Sequence, residues 1–151
     1  MSDLEDLAFE QAVRLIEHQR DAVAAVRERV GSLLAGSSIA TSFLGATALE
    51  QPGDLSAWAW VATSLFGLTV AGSIFVLWAR RGWEFGLDPV EILAEGKQAD
   101  IAEVKLAVTA WMDDYYNRNG AKLDRIIVVF NVAALGLGLE IGAWLGAIVW
   151  G

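Results

Sequence analysis

The chain has 151 residues, 55% of them hydrophobic and 20% charged, and a net charge of −8. That length suits one domain, and the hydrophobic share and mean hydropathy of +0.43 exceed what soluble domains usually carry. Without cysteine there is no disulfide framework, thiol chemistry or cysteine-ligated metal, and an acidic balance with no basic stripe argues against nucleic acid as a partner.

Residues 3–30 predict an amphipathic helix. Phe9, Ala12, Ile16, Gln19, Val23, Val26 and Val30 recur at alternating spacings of three and four, so they share one stripe. Glu10, Arg14, Glu17, Asp21 and Glu28 fall mainly off it. The opening Asp3, Glu5 and Asp6 do not resemble the positive start of a signal peptide. Residues 31–49 carry no charge and form the first expected transmembrane span, since about 20 apolar residues cross the hydrocarbon. Ser32, Ser37, Ser38, Thr41 and Ser42, with Gly36 and Gly45, suit packing against protein. Those hydroxyls also have the option of bonding to their own helix backbone. Gly31 alone is a weak boundary between these two segments, so one continuous rod is also open.

Residues 50–54 read as a turn around Pro52-Gly53, forcing an antiparallel hairpin with a second span at 55–79. Trp58 and Trp60 at one end, and Trp78 and Trp83 at the other, form the expected interfacial belts. Thr63, Ser64, Thr69 and Ser73 are scattered among large apolar residues, which predicts a lipid-exposed helix. In residues 80–125, Asp88, Pro89 and Glu91 read as a helix start. Ile101, Val104, Val108, Trp111 and Tyr115 form a second stripe, and Asn117–Gly120 predicts its end. Residues 126–150 are the third span, charged only at Glu140, with Trp144 and Trp150 toward its far end.

All eleven bases lie before the first span or between the second and third. The positive-inside rule then puts the N-terminus and the middle segment in the cytoplasm and the C-terminus outside. The expected fold is an all-α integral membrane protein, one domain of three transmembrane helices plus two long amphipathic cytoplasmic helices, in a bacterial cytoplasmic (inner) membrane.

Glu140 is the residue most in need of an explanation. A carboxylate at membrane depth marks a pore, a proton path or a polar partner, or it lies in a crevice or near the outer interface. No Lys or Arg within a span can pair with it, which leaves a hydroxyl, an amide, water or another copy's Glu140. Gly138, Gly142 and Gly146 form a small-residue ridge suited to helix packing, and Asn131 on the same side offers an interhelical hydrogen bond. Gly36 is a further packing position in the first span. Phe9, Ile16, Val23 and Val26, with Ile101, Val104, Val108, Trp111 and Tyr115, are the candidate cytoplasmic interface.

For catalysis the chain is poor. His18 is its only histidine, and the adjacent Asp113 and Asp114 lack metal-site spacing. No phosphate loop, zinc motif or nucleophile elbow is present, so neither enzymatic activity nor a cofactor is expected.

The layout, a leading helix, a two-span hairpin, a helical insert and a further span, is similar to the SLATT-like and PycTM-like transmembrane effector modules of bacterial antiphage defence. The stretch around Gly31–Leu49 also resembles small uncharacterised actinobacterial membrane proteins. That resemblance implies an assembly that compromises the inner membrane on a signal, and it transfers no residue role. Two functions are therefore expected in competition. One is a homo-oligomeric inner-membrane protein forming a gated pore or membrane-perturbing assembly under a cytoplasmic helical stalk. The other is a non-conducting anchor or adaptor that binds a cytoplasmic protein partner through its helices. Membrane lipids are partners in both.

Overall fold

A computed structural model describes residues 2–50, 55–79, 83 and 100–150, and nearly all of the described residues are helical. Among the described residues three helices follow in chain order: α1 (Ser2–Leu49), α2 (Ala57–Trp78) and α3 (Ile101–Trp150). Each contains a stretch long and apolar enough to cross a membrane, and the chain is a multi-pass helical membrane protein.

Among the described residues the expected pair of separate amphipathic helices is not found. The leading stripe is the first half of α1, and the 101–115 stripe is the first half of α3. Continuity has a local reason in each case. Gly31 is the only weak residue at the first junction, and a glycine inside a helix costs about 1 kcal/mol relative to alanine, too little to stop it. The expected end at Asn117–Gly120 fails because those side chains support the helix. Asn117 Nδ2 donates to Asp113 Oδ2 at 3.2 Å, and Arg118 pairs with Asp114 at 2.6 Å, both one turn back. Asn119 is fully buried. The predicted start at Asp88–Glu91 and the Pro52-Gly53 turn lie outside the described residues.

The apolar run expected at 55–79 is helical as α2, Ala57–Trp78. Ser56 caps α2, accepting from the Ala59 N–H at 3.3 Å. The Ala79 N–H closes the other end on the Phe75 carbonyl.

The chain divides into two compact units, Met1–Ala25 with Arg81–Asp124, and Val26–Arg80 with Arg125–Gly151. In the second unit the buried positions of α3 include Ile126, Ala133, Gly136, Glu140, Ala143 and Ala147, which follow a three–four (or seven) spacing along one face, with Trp144 and Gly146 buried beside them. Ala59, Ala62, Ala143, Trp144 and Ala147 form one cluster, flanked by Leu44, Ala48 and Leu65. Small residues bring the helix backbones close, and packing has to supply most of the association energy where lipid is as apolar as the side chains.

Candidate functional site

Glu140 is completely buried in the second unit, between α1 and α3. Ser37 Oγ donates to Glu140 Oε2 at 2.7 Å, and the Thr41 hydroxyl donates to Oε1. Ser37 and Thr41 are four residues apart, so both hydroxyls reach across from one face of α1. Ser37 is itself fully buried. The two carboxyl oxygens are thus satisfied by one neighbouring helix of the same chain. A buried polar group without such partners is costly, so the arrangement fixes the register of α1 against α3.

The other span hydroxyls behave differently. Ser38, Ser42, Thr47 and Ser64 bond to the carbonyl four residues back and remain exposed. On α2, however, the expectation of a lipid-facing helix fails at two positions. Thr69 and Ser73 are fully buried. Thr69 Oγ1 donates to the Ala133 carbonyl at 3.4 Å, and Ser73 Oγ donates to the Thr69 carbonyl at 2.7 Å.

Glycines mark the tight crossings. A Cβ on Gly136 would stand 2.9 Å from Thr69 Oγ1, and one on Gly72 would stand 3.3 Å from the Ala133 Cβ. Gly45 leaves room for the Trp144 ring, which a Cβ would meet at 3.3 Å. The buried Trp144 Nε1 has no hydrogen-bond partner among the described residues.

The expected Gly138-Gly142-Gly146 ridge divides. Gly146 packs under Trp58, where a Cβ would stand 3.1 Å from the ring, and Gly36 lies against Leu137. Gly138 and Gly142 have nothing within 4 Å of a built Cβ. The cause is geometric: eight residues at 100° each leave Gly146 rotated by about 80° from Gly138. Asn131, Leu135, Gly138, Gly142 and Val149 instead lie on an exposed face of α3, and the Asn131 amide is unpartnered among the described residues.

In the first unit the leading stripe is buried as its spacing required. Ala12, Ile16, Gln19 and Val23 are all at 9% exposure or less, and Phe9 is half-buried. In the second unit the stripe continues, with Val26 and Val30 buried. On α3, Val108 is buried and Val104, Trp111 and Tyr115 are half-buried, while Ile101 is exposed. Gln19 Nε2 donates to the Tyr116 carbonyl at 3.0 Å, and Lys105 pairs with Asp6 at 2.5 Å.

Between these two stretches runs a mainly apolar groove of about 350 Å³. It is lined by the small Ala8, Ala12, Thr109 and Ala110, by the larger Leu15, Leu106, Met112 and Tyr116, and by Gln11 and Asp113. Small side chains facing one another leave a hollow that larger neighbours wall in. Neither composition nor stripe periodicity reveals it, because the hollow depends on which alanines of α1 face which of α3.

No group of three or more His, Cys, Asp or Glu residues able to hold a metal occurs among the described residues. No protein-family model, curated protein or solved structure matches the chain.

Proposed function

We propose that the chain is a membrane anchor or adaptor that does not conduct, and that it holds a partner through the first halves of α1 and α3. The observation that carries this reading is the groove on the first unit, whose Leu15 and Leu106 are 45% and 63% exposed. Exposed apolar surface in a stretch this charged is a mark of interaction. The membrane part supports the same reading, since Glu140 has both oxygens engaged within one chain. A pore-lining carboxylate would face water instead. The distribution of basic residues supports a cytoplasmic N-terminus and an external C-terminus in a bacterial inner membrane.

A second reading, the homo-oligomeric gated pore, is favoured by the exposed Asn131 amide above Gly138 and Gly142. An amide facing hydrocarbon gains from a hydrogen bond to a second helix, and two glycines permit the approach. The similarity of layout to SLATT-like and PycTM-like defence effectors agrees with this alternative.

Ion release from vesicles containing the full chain separates the two. The adaptor reading predicts release equal to that of protein-free vesicles. Protein-dependent release that changes with Glu140→Gln would overturn it and establish a conducting assembly with Glu140 on the path.

A further inference from the structure

Resting on the adaptor reading, we propose that the groove between the first halves of α1 and α3 docks a basic amphipathic helix of another protein. Three features of the first unit specify that occupant.

The first is the absence of a backbone edge. Both walls are helices whose main-chain groups bond internally, so an added strand finds nothing to pair with. A helix laying its apolar face into the hollow needs only side-chain contacts. From Ala8 to Leu15 the groove follows α1 for about 10 Å at 1.5 Å per residue, enough for two turns of an incoming helix. The small Ala8, Ala12 and Ala110 leave room for its large side chains, and the exposed Leu15 and Leu106 offer apolar contact beside them.

The second is charge. In residues 4–15 and 101–118, Glu5, Asp6, Glu10, Glu103, Asp113 and Asp114 stand against Arg14, Lys105 and Arg118. Arg14 pairs with Glu10 at 3.6 Å, Lys105 with Asp6, and Arg118 with Asp114, which leaves Glu5, Glu103 and Asp113 as the net negative charge. Asp113 lines the groove itself. A mainly apolar groove with Asp113 in its lining and a net negative charge on its two helices attracts a cationic partner and rejects an anionic one.

The third follows from the second. Another copy of this chain would bring the same carboxylates face to face, and like charges across an interface cost several kcal/mol. An anionic leaflet is repelled for the same reason. A cationic helix meets none of these penalties.

The test uses the full chain in nanodiscs of zwitterionic lipid, with empty discs as reference. Two fluorescent peptides of about 18 residues, or five turns, share one leucine stripe. One carries lysine on its polar face and the other glutamate. Anisotropy should show saturable binding of the leucine–lysine peptide, at least about tenfold tighter than the leucine–glutamate peptide. The difference should narrow as salt is raised, and Asp113→Lys should reduce it.

Ala110→Trp fills the groove and should weaken binding about tenfold. Leu106→Glu, at an exposed position, provides a second block, and circular dichroism checks that each variant keeps its helices. Equal affinity for both peptides, or preference for glutamate, overturns the charge assignment and leaves the adaptor reading standing. No binding of either peptide, or binding untouched by both blocking variants, removes the groove and the adaptor reading together. Disulfide linkage of two copies through Leu15→Cys would assign the groove to self-association and overturn the proposal.

Discussion

Removing the partners of Glu140 should harm the protein more than removing Glu140 along with them. In the structure the carboxyl group accepts from Ser37 and Thr41 and is completely buried. Interhelical hydrogen bonds in membranes are worth about 0.6 kcal/mol on average and up to about 1.7. Ser37→Ala alone should therefore cost about 1 kcal/mol, because Thr41 still serves the carboxyl group. Ser37→Ala with Thr41→Val leaves both oxygens orphaned in a dry interior. The loss of two bonds plus the burial penalty of an unpaired group brings the expected cost to about 2–4 kcal/mol. Adding Glu140→Leu deletes the orphaned group at similar reach. Replacing a whole polar cluster by apolar residues is often neutral, so the triple variant should recover to within about 1 kcal/mol of the native protein. Reversible unfolding in detergent or nanodiscs, followed by helicity, reads all three. A triple variant no more stable than the double would refute the reasoning, because it would mean that the carboxyl group was not the buried liability.

Other consequences follow from the same contacts. Gly136→Ala should destabilise by about 1–3 kcal/mol through overpacking against Thr69 Oγ1, and Thr69→Ala in the same chain should recover much of that loss; no recovery in unfolding measurements would mean the clash lies elsewhere. Gly138→Ala meets open space and should be neutral or stabilising by up to about 1 kcal/mol in the isolated chain, which the same assay checks. Lys105→Ala removes a partly exposed ion pair with Asp6 and should change stability by less than about 1 kcal/mol. Gln19→Leu loses one bond to Tyr116 and also removes a buried Oε1 that has no partner among the described residues; the effects oppose, and stability in thermal unfolding should change little, by about 1 kcal/mol or less.

Much of this was legible from periodicity. The run from Phe9 to Val30 had to form one face because three–four spacing permits nothing else, and six of its seven residues are buried, with Phe9 half-buried. The apolar run read as 55–79 is helical from Ala57 to Trp78, a length that suits a bilayer crossing. Sequence also restricted the partner of Glu140 to groups including a hydroxyl, and Ser37 and Thr41 already shared a face. Their pairing was hidden because it depends on the register of two helices a hundred residues apart. Thr69 and Ser73 were misread for a related reason. A helix that is apolar all round gives no sign of which face meets protein. Continuity of α1 and α3 was obscured by residues with two uses, since Asn117 and Gly120 suit a helix end yet are tolerated within a helix supported by its own i,i+4 pairs. The glycines show the same limit. Gly36 and Gly146 pack within the chain and Gly138 and Gly142 do not, while Gly45, Gly72 and Gly136 form close contacts that spacing did not single out.

The adaptor reading is tested most directly by the mass of the full chain in a nanodisc, corrected for lipid. A polar interior closed within one chain predicts one copy, or two if the Asn131 face of α3 meets its equivalent in a second chain. A single defined species of four or more copies would contradict the account and return the conducting assembly to first place.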